Sequence, residues 1–202
     1  MEAKHYFTDN RDLPSKPRQI SYILEGNEYA FTADEGVFSK SEVDYGTHLL
    51  LKTALQEEIH GNVLDLGCGY GVVGIVLKKS FPDISVTAVD VNPRAVELAL
   101  LNTKANDTPA EVLVSDGFEA VAERNFDAVI TNPPIRAGKQ VIYRMFEDAY
   151  AHLSNGGVFL AVIRRNQGAE SAMKKLAELF GSCDLQDRRK GYWVLKCVRN
   201  DA

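Results

Sequence analysis

The sequence contains few cysteines and no long apolar stretch, and these absences exclude several classes of protein. Cys68, Cys183 and Cys197 are the only cysteines, and their odd number and wide spacing predict neither a disulfide framework nor a zinc site. The longest apolar runs, VVGIVL and VFLAVI, are far shorter than the ~20 residues of a membrane-spanning helix. The first residues lack the apolar segment of a secretory signal. We therefore expect a cytoplasmic protein with no membrane partner.

Basic side chains are outnumbered by acidic ones. The chain has 23 Lys and Arg against 28 Asp and Glu, a net charge of −5, whereas nucleic-acid binders usually carry clusters of basic residues. The average hides an asymmetry, since residues 1–133 carry 11 basic and 21 acidic side chains and residues 134–202 carry 12 and 7. The basic part includes Arg164/Arg165, Lys174/Lys175 and the run 188–190. These residues form either solvated faces or an edge that faces a polyanion.

From about residue 62 onward, short apolar runs alternate with longer amphipathic stretches. This alternation is typical of repeated βα units and a parallel sheet. Strands are predicted at 62–66, 84–90, 110–116, 126–132 and 157–163, and helices at about 71–80, 93–106, 139–153 and 168–180. Asn92 can cap the second helix, with Pro93 at its first position. The third helix is expected to stop near Asn155-Gly156-Gly157, where glycine offers a left-handed helix end.

Two hairpins flank this region. Residues 17–33 pair ISYILE with EYAFTA around Gly26-Asn27, and the C-terminal segments CDLQD and YWVLKCVR are separated by RRKG. No internal repeat or long linker is visible. We predict a single α/β domain over 1–202, with an N-terminal extension over about 1–45 and a core over 46–202. The expected fold is Rossmann-like, with a seven-stranded, mostly parallel sheet, helices on both faces and a C-terminal antiparallel hairpin.

Acids and glycines follow the predicted strands, at the edge where open α/β sheets bind ligands. Asp65 and three alternate glycines (DLGCGYG) close the first core strand. Asp90 closes the second, where a carboxylate can take both hydroxyls of a ribose, and Asp116 closes the third, within reach of an adenine amino group. Each residue alone is also compatible with a tight turn or a helix cap. Their combination favours a ligand site.

The segment GYGVVG, residues 69–74, also matches the G-x-G-x-x-G fingerprint of dinucleotide-binding proteins. Asp90 lies near the spacing expected for the acid that binds the ribose. A nicotinamide-dependent reductase is therefore an alternative. Asp65 is not part of that fingerprint, and the next motif has no role in hydride transfer.

That motif is Asn132-Pro133-Pro134-Ile135, which follows the apolar run FDAVIT. Consecutive prolines hold the chain extended and remove backbone donors. The Asn132 amide and the Pro133 carbonyl then offer two acceptors to one planar NH2 group. Such a group is a poor nucleophile because its nitrogen lone pair is delocalised, and two acceptors favour a more tetrahedral nitrogen whose lone pair faces an electrophile. The alternative is a proline-rich turn in which Asn132 is a local cap.

The residues that other kinds of catalysis need are absent from the sequence. Methylation of base carbon C5 needs a cysteine nucleophile, typically after proline, and the sequence has no Pro-Cys pair. A serine hydrolase would carry G-x-S-x-G, which is absent. The four histidines are isolated, without the spacing of metal ligands: His5, His48, His60 and His152. We predict a site without metal and without a covalent intermediate.

Taken together, VLDLGCGYGVVG, AVDVNPRAVELA, VSDGF and NPPI resemble the class I S-adenosylmethionine-dependent methyltransferases. Within them, the sequence is similar to the methyltransferase small domain family, which includes ribosomal RNA small-subunit guanine-N2 methyltransferases. The segment GVFSKSEVDYGTHLLL, residues 36–51, resembles the stretch that precedes the first core strand in that family and helps close the cofactor pocket. The likeness covers about residues 20–200.

The resemblance implies that S-adenosylmethionine lies along the carboxyl edge of the sheet. Residues after the first three core strands would contact its methionine end (Asp65, Gly67, Gly69), its ribose (Asp90) and its adenine (Val91, Asp116, Gly117). Further cofactor contacts would come from Phe38, Gly46, Thr47 and Asn132.

The same resemblance implies a substrate side. Asn132 and Pro133 would hold the target amine for in-line methyl transfer, and Pro134 and Ile135 would contact the substrate. Many relatives carry an aromatic residue at the fourth motif position, where this chain has Ile135, and an aliphatic side chain can still cover a ring face. Some guanine-N2 methyltransferases also carry an additional N-terminal domain, for which this chain has no room.

The resemblance thus predicts an N-methyltransferase that acts on an exocyclic base amine of ribosomal RNA, with guanine N2 favoured and ribosomal RNA or the small subunit as partner. One alternative is an N-methyltransferase of a protein glutamine, DNA adenine or a small molecule. Another is a non-catalytic module that binds S-adenosylmethionine without transferring methyl.

Overall fold

The computed structural model describes residues 14–37, 39 and 41–201 of the chain. An antiparallel hairpin comes first, formed by β1 (Arg18–Leu24) and β2 (Asn27–Ala33). Glu25 and Gly26 both have positive φ in the connecting turn, as tight hairpin turns require. The predicted hairpin is confirmed, but its turn is Glu25-Gly26 and not Gly26-Asn27, because Asn27 already pairs with Leu24.

Seven further strands form one sheet in the order β5-β4-β3-β6-β7-β9-β8. The strands are β3 (Asn62–Leu66), β4 (Ser85–Asp90), β5 (Glu111–Val114), β6 (Phe126–Thr131), β7 (Leu153–Arg164), β8 (Asp184–Arg189) and β9 (Tyr192–Val198). Strands β3 to β7 are parallel, while β9 runs antiparallel to both of its neighbours. The order reverses between β3 and β6, and open α/β sheets bind ligands at such a switch point.

Helices cover both faces of this sheet. They are α1 (Tyr45–Ala54), α2 (Val72–Ser80), α3 (Pro93–Ala105), α4 (Lys139–His152) and α5 (Ala169–Phe180). Leu50 of α1 and Ile75 of α2 share one buried cluster with Val63, whereas Phe146 of α4 and the neighbouring strand residue Leu64 belong to another. Adjacent residues of a strand point to opposite faces, so the near-continuous apolar strands are explained by burial on both sides.

The predicted start of α3 is confirmed, because the Asn92 side chain accepts a hydrogen bond from the Arg94 N–H at 3.1 Å and Pro93 opens the helix. The predicted bounds of α4, about 139–153, agree with the observed helix to one residue, but the glycines expected to end it do not do so. The helix stops at His152, and Leu153 is already extended. Gly156 and Gly157 lie in β7, where they exchange backbone hydrogen bonds of 2.7 and 2.9 Å with Arg199. Pairing with the C-terminal strand therefore extends β7 over the glycines expected to end the helix.

No helix in the described part of the chain is both long and apolar enough to cross a membrane. All three cysteines are free.

Candidate active site

A cavity of about 680 Å³ opens at the carboxyl edge of the sheet. Its lining comes from the turns that follow β3, β4, β5 and β6, from the segment before α1, and from the ends of β7 and β9. This volume lies in the usual range for small-molecule sites. Of the residues predicted for the site, Phe38 lies outside the described residues. All the others line the cavity except Gly46.

The turn after β3 is built from glycines because its backbone demands them. Gly67, Gly69 and Gly71 have φ of 75°, 55° and 92°, a region that other residues rarely adopt. A Cβ atom added at Gly67 or Gly69 would meet no atom within 4 Å. The backbone conformation therefore explains why these residues are glycines. The space beside Gly67 and Gly69 is open to a ligand.

Asp65 lies at the base of this turn with 2% of its surface exposed. Its Oδ2 accepts a hydrogen bond of 2.8 Å from the backbone N–H of Gly74 in α2. Burial raises the pKa of the Asp65 carboxyl to about 7, and the nearby charge of Asp90 adds to the shift. A cation bound beside Asp65 would favour its ionised form.

Asp90 connects the glycine turn to the end of β4. One carboxylate oxygen accepts from the Gly69 N–H at 2.8 Å, and the other accepts from the Asn92 N–H at 2.9 Å. Burial raises the pKa of the Asp90 carboxyl, and these two hydrogen bonds oppose the rise. Because each carboxylate oxygen has further lone pairs, the oriented group can still accept from both hydroxyls of a ribose.

The end of β5 forms the rim of the cavity. Asp116 is paired with Arg144 of α4 at 2.9 Å, and both side chains are about half exposed. Gly117 adopts a positive φ of 57°, and a Cβ there would meet nothing within 4 Å. Val91, 41% exposed, lies beside the same cavity. The rim therefore combines a carboxylate with an apolar surface, as recognition of an adenine ring requires.

The amide of Asn132, just after β6, is oriented by two partners. Its Nδ2 donates to Thr47 Oγ1 at 3.0 Å and to Asp44 Oδ2 at 3.4 Å. Its Oδ1 accepts no hydrogen bond from the described residues. The amide can therefore offer an acceptor to a ligand in the cavity.

The prolines after Asn132 form a tight turn. The Ile135 N–H donates to the Pro133 carbonyl at 2.8 Å, and Pro134 has φ −74° and ψ 77°, which is the geometry of an inverse γ-turn. The turn fixes the direction of the Pro133 carbonyl but uses one of its lone pairs. The second lone pair can still accept.

The first turn of α1 closes one side of the cavity. Thr47 contacts Asn132 directly, whereas Gly46 is buried against Tyr192. A Cβ at Gly46 would lie 2.6 Å from Tyr192 Cε1 and 2.8 Å from Asp44 Oδ2. Any larger residue at position 46 would therefore displace the groups beside Asn132.

Sequence reasoning missed Asp44, Tyr192 and Arg144. Asp44 caps α1 by accepting from the Thr47 N–H at 3.2 Å, and it also accepts from the Tyr192 hydroxyl at 3.3 Å. An aspartate before an apolar helix is a recognisable cap signal. No local signal brings Tyr192 there, because its position depends on the pairing of β9 with β7.

Within the described residues, no group of three or more His, Cys, Asp and Glu side chains is arranged to hold a metal ion.

Comparisons with known proteins agree with this geometry. Residues 28–196 match the model of the methyltransferase small domain family. The chain is 40% identical over 199 residues to the uncharacterized protein YbxB of Bacillus subtilis (strain 168), which covers 98% of this chain and 99% of that protein. It is 42% identical over 126 residues to ribosomal RNA small subunit methyltransferase C of Haemophilus influenzae (strain PittGG), covering 60% of this chain and 38% of that protein.

Among solved structures, the T. thermophilus 16S rRNA N2 G1207 methyltransferase RsmC, in complex with AdoMet and guanosine, superposes with a TM-score of 0.84 and 32% identity. The match covers 93% of this chain and 52% of that one, so the chain spans about half the length of this relative. The predicted Rossmann-like fold is confirmed. The chain belongs to the methyltransferase small domain family and is an S-adenosylmethionine-dependent methyltransferase.

Proposed function

We propose that this chain transfers methyl groups to an exocyclic base amine of ribosomal RNA, with guanine N2 as the favoured acceptor. The observation that carries the proposal is the oriented amide of Asn132. Its NH2 group is held by Asp44 and Thr47, so its Oδ1 is left to accept from the amine of a substrate. Asn132 and Pro133 are then the catalytic residues, with Pro134 and Ile135 in contact with the substrate.

The cavity fits S-adenosylmethionine. The open space beside Gly67 and Gly69 accommodates the methionine end, and the carboxyl of Asp65 favours its ammonium group. Asp90 takes the ribose hydroxyls. The rim residues take the adenine ring: Val91, Asp116 and Gly117. Gly46 and Thr47 would contact the cofactor from the first turn of α1, and Phe38 precedes that helix in the sequence.

When bound, S-adenosylmethionine supplies a methyl group on a positively charged sulfur. The lone pair of an amine can attack this methyl group, and the sulfur is the leaving group. Asn132 Oδ1 and the Pro133 carbonyl would each accept one N–H of the target amine. Two acceptors hold the nitrogen with its lone pair along the line of transfer and stabilise the positive charge that develops on it. The methylated nitrogen then loses one proton to solvent, so the residues of the chain need form no covalent bond.

The choice of ribosomal RNA is supported by the named relatives, which include a small-subunit methyltransferase C and a 16S rRNA N2 G1207 methyltransferase. It is also supported by the basic character of residues 134–202, because phosphates bind to basic side chains. The partner would be ribosomal RNA or the assembled small subunit, which are cytoplasmic.

We also propose that residues 1–202 form one methyltransferase domain, with residues 1–45 as an extension of the catalytic core over 46–202. The contact between β2 and α3 supports a single domain, because it joins the extension to the core. Asn102 of α3 accepts from the Thr32 N–H at 2.7 Å and donates to the Thr32 carbonyl at 2.9 Å. The described part of the extension is thus hydrogen-bonded to the core.

Labelled methyl transfer tests the proposed function. The purified protein is incubated with methyl-labelled S-adenosylmethionine and a matched lysate from cells that lack it, and the label is then separated into RNA, DNA, protein and small molecules. We expect label in small-subunit ribosomal RNA, and digestion to nucleosides identifies the methylated base. Asn132→Ala should lower the rate at least 100-fold, in the range seen when a transition-state hydrogen bond is removed.

Asn155→Ala is the matched control, since Asn155 is exposed at the opposite end of β7 and should behave as wild type. Label in protein, DNA or small molecules would overturn the RNA substrate but keep the methyl transfer. A protein that binds S-adenosylmethionine and labels no fraction would support the non-catalytic binding module. Stabilisation by NADH and not by S-adenosylmethionine in a thermal melt would support the reductase.

A further inference from the structure

The end of β7 carries an arginine that neither the family motifs nor the proposed mechanism uses. We infer that the guanidinium of Arg164, which lies over the ring of Tyr192, is the surface on which the target base of the RNA stacks. The inference rests on the proposed function and adds a specificity-determining residue to it. It also supplies the planar contact that Ile135, in place of an aromatic residue, cannot provide.

Arg164 and Tyr192 are directly paired across β7 and β9. Side chains of cross-strand partners point to the same face of a sheet, and here the guanidinium carbon lies 4.6 Å from the centroid of the Tyr192 ring. This distance is within the range of a cation–π contact. The contact with the aromatic ring therefore holds the planar guanidinium at this place in the cavity wall.

The Tyr192 ring is unable to receive a base itself. Only 7% of the residue is exposed, since Gly46 lies against its edge and the Tyr45 ring lies 5.9 Å from it on another side. Arg164 is the outer layer of this stack and is exposed to solvent. A planar ligand that enters the cavity would thus meet the guanidinium first.

Arg164 is also placed and charged for this role. It lines the same cavity as Asn132, and Tyr192 is connected to Asn132 through the Asp44 carboxylate, which accepts from both side chains. No acidic side chain of the described residues pairs with Arg164, whereas its neighbour Arg165 is paired with Glu170 at 3.1 Å. RNA bases that leave their stack commonly bind on the plane of an arginine.

Stacking and phosphate binding require different properties of the side chain. A base needs a plane, whereas a phosphate needs a charge, which lysine also supplies as a point charge. Arg164→Lys keeps the charge and loses the plane, and Arg164→Gln keeps a planar amide and loses the charge. The variant with the higher KM for RNA therefore shows whether Arg164 contacts a base or a phosphate.

The experiment measures KM and kcat for unmodified small-subunit ribosomal RNA, together with the Kd for S-adenosylmethionine. We expect Arg164→Lys to raise the KM for RNA about tenfold, as loss of one base stack does, and Arg164→Gln to raise it less. The Kd for S-adenosylmethionine and the thermal midpoint should stay at the wild-type values. Arg165→Lys is the matched control and should leave KM unchanged.

A lysine variant with wild-type KM, or a glutamine variant that is worse than the lysine variant, would overturn the inference in favour of a phosphate contact. An equal rise in KM in both variants would also overturn it, because the plane of the side chain would then contribute no more than its charge. If the wild-type protein methylates no RNA, the proposed function itself fails. The two failures are therefore distinguishable by the wild-type activity.

Discussion

The two sides of the cavity are assembled in different ways. On the cofactor side, Asp65, Asp90 and Asp116 each lie within two residues of the carboxyl end of a strand, and neighbouring parallel strands bring them together. On the substrate side, Asn132 is oriented by Asp44, and Asp44 in turn contacts Tyr192, 148 positions away in sequence. The cofactor side is thus a local consequence of β–α units, whereas the substrate side depends on long-range packing. Substitutions on the two sides should therefore affect different kinetic constants.

The largest effect on cofactor binding is expected for Asp90→Ala. The substitution removes the acceptor of the proposed ribose hydrogen bonds and releases the Gly69 N–H, which Asp90 binds at 2.8 Å. We expect the Kd for S-adenosylmethionine to rise about 100-fold, because hydrogen bonds to a charged group are worth roughly 1.5–3 kcal/mol each. At saturating cofactor, kcat should change little. Calorimetric titration and steady-state rates measure the two constants.

Asp83→Ala provides the control for this prediction, since Asp83 is exposed before β4, at the opposite edge of the sheet. Its Kd should equal that of the wild type. An Asp90→Ala protein with unchanged affinity would contradict the ribose contact.

A smaller effect, confined to kcat, is expected on the substrate side for Asp44→Ser. Serine can still cap α1, but its short side chain cannot reach Asn132 or Tyr192. The Asn132 amide loses one of its two partners, and we expect kcat to fall about 30-fold, because small errors in position are costly in catalysis. The thermal midpoint and the Kd for S-adenosylmethionine should remain near the wild type.

Asp44→Asn is the conservative variant that tests this interpretation. Its amide oxygen can accept from Thr47 and Asn132, and its NH2 group can donate to the Tyr192 oxygen, so activity should return to near the wild-type value. If Asp44→Asn is as slow as Asp44→Ser, the charge of Asp44 matters more than its hydrogen bonds, and positioning is not its role.

Sequence reasoning reached further on the cofactor side, for the same physical reason. Apolar runs locate the strands, and parallel strands place their carboxyl ends on one edge, so Asp65, Asp90 and Asp116 could be selected as a group. The contacts of Asp44 with Tyr192 follow only from the position of β9 beside β7. The place of Gly156 and Gly157 in β7 was missed for a similar reason, since their backbone pairing with Arg199 is not visible locally. The ligand roles of the selected residues remain predictions.

A third prediction concerns the pH dependence of cofactor binding. The pKa of Asp65 is raised by burial to about 7, and the ammonium group of the cofactor, if bound beside it, lowers that pKa. Affinity should therefore increase with pH, and we expect binding about tenfold weaker at pH 6 than at pH 8. Near pH 7, calorimetry in buffers of different ionisation enthalpy should detect proton release on binding.

Asp65→Asn should remove both the pH dependence and the proton release. The same raised pKa has a consequence for the free protein. Between pH 4 and 7 the folded state binds more protons at Asp65 than the unfolded chain does, so this group destabilises the fold as pH rises through that range. Affinity that is independent of pH in the wild type would place the ammonium group away from Asp65.

The smallest effect is expected for Tyr192→Phe, which separates two roles of one side chain. The hydroxyl contacts Asp44 at 3.3 Å and reaches Asn132 only through that carboxylate, so its loss should lower kcat only about threefold. The ring remains beneath Arg164, and the KM for RNA should therefore stay unchanged. In the Asp44→Ser background the hydroxyl has lost its connection to Asn132, so the second substitution should have no further effect on kcat. Additive losses in that double-mutant cycle, or a raised KM in Tyr192→Phe alone, would show that the hydroxyl acts on the RNA and not through Asp44.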